Sequence, residues 1–345
     1  MPEGSASTSQ TASTPTSVRS VAPTACLIFC VALAARVAFA VLYGGTEPAA
    51  KFGGNKEDPQ AYLWMAENYC DHGSLGFRGE PSARRAPAYP IMLAGIRRMV
   101  GGNLLAVRIA QGALDALTAV IVFASVLGFA SRRAALFSGL LYALYPIYIF
   151  NASEIMTEVL VLFFTATATW AVSRSLLGGS TIAAALAGIA CGLLALTREN
   201  NLLIVPLWAG VLLWAGFRDG RRAAPRDVGR GGSQDGRGNG WRSAVRRPAV
   251  MLAAALLTYA PWVVRNSLLF HAFVPTGTSG GENLLRSMGA AREGDAFDWP
   301  RCLEDHGLLN YWAYHDPANR GIAFPDELAS DRAARALAWT LIRKN

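Results

Sequence analysis

The sequence predicts an all-α polytopic membrane protein of about seven transmembrane helices, with a long first outer loop that carries interfacial helices. Three observations lead there. Hydrophobic residues make up 52% of the 345 and charged residues only 16%, where a soluble domain carries nearer a quarter. The apolar residues are gathered in long runs rather than spread through a soluble core. The breaks between runs are brief and polar, as in Ser131-Arg132-Arg133 and Arg198-Glu199-Asn200-Asn201, so the helices form a packed bundle with short turns. Gly and Ala are frequent within the runs, which lets helix backbones approach closely.

Residues 1–20 are Ser/Thr-rich with one charge pair, Glu3 and Arg19. Such a tail buries too little apolar surface to offset its ordering entropy and is expected to be disordered. Val21 to Tyr43 is an apolar run of 23 residues with Arg36 as its only charge, and about 20 residues suffice to span the hydrocarbon layer. Ala38-Phe39-Ala40 has the look of a signal-peptidase site. The apolar residues continue past it and the preceding tail is long, so an uncleaved anchor is expected. Further spans are expected at 104–128, 134–150, 155–172, 181–197, 202–217 and 249–264. The stretch from Pro87 to Val100 is too short to span and reads as an interfacial helix; Tyr62–Tyr69 is also helix-like.

The net charge of +8 invites a nucleic-acid reading, and its location declines it. The loop 218–247 alone holds nine Arg and three Asp among Gly-rich spacers, which reads as a solvated cytoplasmic linker. With alternating spans, Arg132, Arg133 and Arg174 fall on the same side, and the positive-inside rule assigns that side and the N-terminus to the cytoplasm. The loop 44–103 and the segment 266–345, with eight basic and ten acidic residues, then face outward. The expected organisation is a tail (1–20), a bundle (21–265) and an outer C-terminal segment (266–345).

Ionisable residues in or at the mouths of spans are expensive and mark functional sites. Four groups qualify. Glu57 and Asp58 open a helix just above the bilayer, where a carboxylate can serve as general base or merely cap the helix. Glu154 and Glu158, at i and i+4, share a helical face where the fourth span begins, and suit either a site or an ion pair. Arg198 and Arg265 end the fifth and seventh spans on the outer side, and Arg84 and Arg85 in the first outer loop can join them. Guanidinium forks match a phosphate, although any one of these Arg can simply snorkel. The stripe Arg108, Gln111, Asp115, with Arg36 facing it, reads as a structural polar seam.

His72, His271, His306 and His315 lack metal-ligand spacing, and five cysteines without CxxC spacing exclude a zinc module. Cys70 and Cys302 both fall outside, where a disulfide is geometrically allowed. No Walker A or GxGxxG element is present, so a cytoplasmic nucleotide substrate has no evident home; no cofactor and no metal box are expected, with a single divalent ion at Asp58 left open.

The order of the motifs resembles a known family. An acidic residue in the first outer loop is followed by Arg84-Arg85-Ala86-Pro87-Ala88-Tyr89-Pro90, then Tyr145-Pro146, Met156-Thr157-Glu158 and Leu196-Thr197-Arg198. Pro261-Trp262-Val263-Val264-Arg265-Asn266, Phe273-Val274-Pro275 and Gly280-Gly281-Glu282-Asn283-Leu284 complete the series. Over residues 21 to 290 this resembles the bacterial membrane glycosyltransferases of the GT-C superfamily, related to protein O-mannosyltransferases and lipid A aminoarabinose transferases. The resemblance implies a polyprenyl-phosphate-linked sugar donor, a glycan, lipid or protein acceptor, and a site on the outer face of the cytoplasmic (inner) membrane.

By position, the resemblance makes Asp58 the catalytic base, with Glu57 its substitute, and Glu158 the second acidic site residue, with Glu154 nearby. Arg198 would face the donor phosphate, supported by Arg265, Arg85 and Arg84. The chain departs from the family at Glu199, where Pro often follows the Arg. It also ends soon after Leu328, where family members continue into more spans, so a truncated chain is expected. The rival reading is a multi-pass transporter or flippase with Arg36, Arg108, Asp115 and Glu158 along its path. No internal repeat supports it.

Overall fold

The computed structural model describes residues 21–43, 57–77, 79–223, 240–290 and 327–344. The tail 1–20, residues 224–239 of the basic loop, Cys302, His306 and His315 lie outside the described residues. The elements are α1 (Ala22–Tyr43), α2 (Glu57–His72), a hairpin of β1 (Gly76–Phe77) and β2 (Glu80–Pro81), α3 (Ala88–Val100) and α4 (Leu104–Leu127). Then come α5 (Arg132–Leu144), α6 (Pro146–Ser153), α7 (Glu158–Gly178), α8 (Thr181–Thr197) and a 3₁₀ turn (Glu199–Leu203). The chain goes on through α9 (Ile204–Ala223), α10 (Gly240–Leu269), α11 (Gly280–Ala290) and α12 (Glu327–Lys344).

The all-α polytopic architecture is as expected; among the described residues five or six spans are counted by length and composition, beside the seven or so expected. Five stretches are long and apolar enough to cross a membrane: Ala22–Leu42, Leu104–Leu127, Glu158–Gly178, Glu199–Asp219 and Ala244–Leu269. The pair α5 and α6, bent by 49°, makes a sixth if the two count as one broken span. The bend has a local cause. Pro146 disfavours helical backbone at Tyr145, which is extended (φ −70°, ψ 118°), and then serves as a preorganised first residue of α6. The seventh candidate, α8, has 17 residues, so at 1.5 Å per residue it is about 25 Å long, a few ångströms short of the hydrocarbon layer. The cytoplasmic loop expected at 218–247 is narrower too, because α9 runs on to Ala223 and α10 begins at Gly240.

Large apolar side chains such as Leu42, Phe137, Ile182, Leu207 and Leu257 are exposed on the outside of the bundle, as lipid contact requires. Inside, small residues dominate. Gly188 and Gly192 of α8 face α10 so closely that a Cβ at Gly192 would come within 2.6 Å of Thr258 Cβ. Ala184, Ala187, Ala190 and Cys191 continue this stripe, against Met251 and Ala255. Close backbone approach is how apolar helices gain contact energy where the surrounding lipid is equally apolar.

The polar seam holds the other half together. Arg36 of α1 donates through Nε to Asp115 Oδ2 of α4 at 2.6 Å, and through Nη1 to the carbonyls of Ala32 (3.0 Å) and Ala143 (2.8 Å). Tyr142 of α5 donates its hydroxyl to Asp115 Oδ1 at 2.6 Å. Both charged side chains are 1% exposed, so the pair welds three helices out of reach of water. One turn or two nearer the other end of α4, Arg108 donates to Ser153 O (3.0 Å), and Gln111 to Ala152 O (3.2 Å) and Glu154 O (2.8 Å). These side chains satisfy carbonyls orphaned where α6 stops, and so hold the gap between α6 and α7 open at Glu154–Thr157.

Caps confirm where helices begin. Asn103, Ser131 and Ser180 accept from the backbone N–H three residues on, starting α4, α5 and α8. The basic residues Arg132, Arg174, Arg218 and Arg247 gather at the end of the bundle where α4 and α7 finish and α5 and α8 begin. There Arg247 donates to Ser175 O at 2.8 Å and Arg132 to Thr24 Oγ1 at 2.8 Å.

Removing one member of the Arg36–Asp115 pair leaves a buried charge without its counterion. Asp115→Leu is expected to lower unfolding free energy by about 3–5 kcal/mol, and Arg36→Met/Asp115→Leu together to recover more than half of that loss. Denaturant unfolding in detergent reads this directly; a single variant as stable as the parent would refute the weld.

Candidate functional site

At the end of the bundle away from the basic loops, α2 lies across the helix ends with two working faces. Ala61 and Met65, four residues apart, pack with Ala195, Tyr259 and Trp262 of α8 and α10. Tyr62 and Ala66, one position on, pack with Tyr89, Leu93, Val107, Ile155 and Leu160 of the neighbouring half. The helix therefore wedges between two halves, and its first turn, bearing Asp58 and Pro59, is left over the junction. Pro59 is tolerated there because the first-turn N–H groups have no helical acceptor anyway.

Two ion pairs meet at that junction. Arg85, in the loop between β2 and α3, binds Asp58 Oδ1. Arg198, extended (φ −147°, ψ 119°) between α8 and the 3₁₀ turn, has Nη2 at 3.0 Å from Glu158 Oε1, the first residue of α7. Between them stands Tyr62. The Arg85 guanidinium carbon lies 5.5 Å from its ring centroid, and Tyr89 meets its ring edge-on at 5.0 Å. Burial pushes the Tyr62 phenol above its ordinary range, with Arg85 and Arg198 pulling it back and Asp58 and Glu158 pushing it further up. All four charges are thus within electrostatic reach of one hydroxyl. Tyr89 is pushed well up by burial, then by Tyr62, Glu158 and Glu154, and donates to Gln111 Oε1 at 2.5 Å.

Several polar atoms in this region have no hydrogen-bond partner within the described residues: Glu158 Oε2, Arg85 Nε, Thr157 Oγ1 and Asn201 Nδ2. The arrangement is a rim of alternating carboxylate and guanidinium with bonding capacity to spare. It can take a proton, through Asp58 or Glu158, and it can bind an anion, through Arg85 or Arg198.

The residues singled out from sequence divide here. Asp58, Arg85, Glu158 and Arg198 come together, with Glu154 beside them at the end of α6; Glu57 is the first residue of the same helix as Asp58. Arg84 and Arg265 are engaged elsewhere. Arg84 pairs with Glu282 of α11. Arg265 stacks over Trp262 at 5.1 Å and donates to Ser82 O (2.7 Å) and Leu75 O (2.9 Å). Arg265 therefore holds the backbone of the loop that leads to Arg85, and Arg84 ties the same loop to α11. Glu199 is also turned away from its neighbour Arg198: it accepts from the Gly277 N–H and from Trp262 Nε1 at 3.3 Å.

Tyr62 and Tyr89 were not singled out by sequence reasoning, although Tyr62 stands four residues after Asp58, on its helical face. Glu327, which grips the same loop from α12, has no local signal at all. Among the described residues, no group of three or more His, Cys, Asp or Glu is placed to hold a metal ion.

The family model for dolichyl-phosphate-mannose-protein mannosyltransferases matches residues 84–224. That stretch contains Arg85, Glu154, Glu158 and Arg198, and runs from the site loop to the end of α9. No curated protein matches the chain. With the apolar helices, the family match supports a membrane glycosyltransferase of the GT-C type.

The close approach of Gly277 to this loop is directly testable. A Cβ there would lie 2.5 Å from Ala83 O and 2.8 Å from Glu199 Oε1. Gly277→Ala is expected to destabilise by about 1–3 kcal/mol, as overpacking does, in a melting assay in detergent. Gly210→Ala, with open space around it, is the control expected to be silent.

Proposed function

We propose that the chain transfers a sugar from a polyprenyl-phosphate donor to an acceptor hydroxyl at the outer face of the cytoplasmic membrane, with inversion at the anomeric carbon. The observation that carries this reading is the meeting of the Asp58–Arg85 and Glu158–Arg198 pairs around Tyr62. A transferase of this kind needs a base for the hydroxyl and a cation for the departing phosphate, side by side at membrane level. The outward orientation rests on the gathering of Arg residues at the opposite end.

In the resting site Asp58 is occupied by Arg85. An incoming lipid phosphate competes for that guanidinium, which suits a phosphate as well as a carboxylate. As Arg85 turns to the phosphate, Asp58 loses its counter-charge and becomes a better base. It then accepts the acceptor's hydroxyl proton while that oxygen attacks the anomeric carbon. The C–O bond to phosphate breaks on the opposite side, and the electron pair leaves with the phosphate. Charge building on the leaving oxygens is met by Arg198, supported by Arg85, where partial exclusion of water makes such contacts strongest. Glu158 holds Arg198 in place and its unbonded oxygen is available to a sugar hydroxyl. Proton removal by a positioned carboxylate contributes about 10²–10⁴-fold.

The transporter reading draws no support from the seam, because Arg36 and Asp115 are closed on each other and sealed from water.

Asp58→Asn is expected to reduce transfer from a polyprenyl-phosphate sugar by at least about 100-fold while the protein still inserts and melts normally. Product formation in nanodiscs checks this, and an active variant would remove Asp58 as base. Arg198→Ala should raise the donor KM and lower kcat together; unchanged donor kinetics would take Arg198 out of the site.

A further inference from the structure

Glu327 is the first residue of α12 and is buried. Its carboxylate meets three donors. Oε2 accepts from Ser82 Oγ at 2.8 Å, and Oε1 from the Ala83 N–H at 2.6 Å and Thr278 Oγ1 at 2.9 Å. Ser82 Oγ in turn accepts from the Arg84 N–H at 3.1 Å, and the Thr278 N–H donates to Ala83 O at 3.2 Å. Hydrogen bonds to an ionised acceptor are about twice as strong as neutral ones, so this is a firm grip on two successive residues.

The grip is itself anchored. One turn along α12, Asp331 Oδ1 accepts from the Gly281 N–H at 2.5 Å, and a Cβ at Gly281 would collide with the Asp331 carbonyl. Leu285 of α11 packs on Ala334 and Ala338. The loop from Ser82 to Arg84 is therefore held at every residue, and the next residue is Arg85. The link from this scaffold to Asp58 is the ion pair that Arg85 makes with it.

We infer that Glu327 is a positioning residue: by fixing Ser82 and Ala83 it aims the Arg85 guanidinium at Asp58. The inference rests on the proposed function for the role of Asp58, but the aiming itself is measurable without substrate.

The test is phenylglyoxal labelling of arginines in the full chain in lipid nanodiscs, with peptide mass spectrometry resolving Arg85 from Arg198. In Glu327→Ala, Arg85 should label roughly fivefold faster, the factor set by loss of about 1 kcal/mol of hydrogen bonding, while Arg198 stays at the parent rate. Glu327→Gln, which keeps an acceptor, should fall between, and Asp58→Asn should release Arg85 as a positive control. An unchanged Arg85 rate would overturn the inference, and so would an equal rise at Arg198, which reports general loosening. Should Glu327→Ala not fold, Thr278→Val weakens the same carboxylate's hold and is read the same way.

With a polyprenyl-phosphate sugar, Glu327→Ala should lower kcat and raise the donor KM together, because a dispersed Arg85 meets the phosphate less well, and Glu327→Gln should restore part of both. Faster Arg85 labelling with unchanged kcat would overturn the positioning role. If no variant, nor the parent, turns over this donor, the proposed function fails while the labelling contrast still decides whether Glu327 aims Arg85.

Discussion

A charge withdrawn from water among apolar helices must be met at short range, and this constraint organises the whole molecule. Arg36 cannot be accommodated in α1 unless Asp115 of α4 and the Ala143 carbonyl of α5 come to it, so one side chain dictates how three helices assemble. Arg108 and Gln111 extend the rule to backbone: they feed the carbonyls freed where α6 ends. Arg247 does the same at the opposite end, on Ser175 O. Breaking a buried pair by removing one partner costs more than the pair is worth against an apolar isostere, so the Arg36–Asp115 contact specifies the packing more than it adds stability.

The same constraint operates differently at the site. There the ion pairs are partly exposed, with side chains between 24% and 42% accessible, and each cation has an anionic alternative in any phosphate that arrives. Sealed pairs in the bundle are structural because nothing can compete for them. Half-open pairs around Tyr62 are suited to chemistry because something can. The depth of a charge thus separates scaffold from site within one chain, and α2 makes the separation by sitting as a wedge across the helix ends.

The bundle was legible because its signals are local: runs of apolar residues, a Pro after Tyr145, Ser and Asn at helix starts. The difference between the expected seven and the five or six long apolar helices among the described residues has a physical reason. Apolar length alone does not register that a proline bends the run 134–150, nor that α8, at 17 residues, is a few ångströms shorter than the hydrocarbon layer. At the site, Asp58, Glu158 and Arg198 were legible as costly charges at span ends. Which Arg meets which carboxylate was not, because pairing depends on how α2 crosses the bundle. Arg85 and Arg265 look alike in sequence, yet one binds Asp58 and the other binds carbonyls. Tyr62 was hidden by its ordinariness as one more aromatic residue on an amphipathic helix.

The hydrogen bond from Ser82 to Glu327 spans 245 residues of chain, which gives the molecule a sense of time. Synthesis at 5–20 residues per second separates the two partners by tens of seconds. Throughout that interval the bundle helices are inserting and pairing while the Arg85 loop still lacks its carboxylate anchor. The order of manufacture makes the Arg85 corner acquire its shape after the bundle helices that precede α12. A nascent chain already seated in lipid would therefore hold a finished scaffold around an unfinished site.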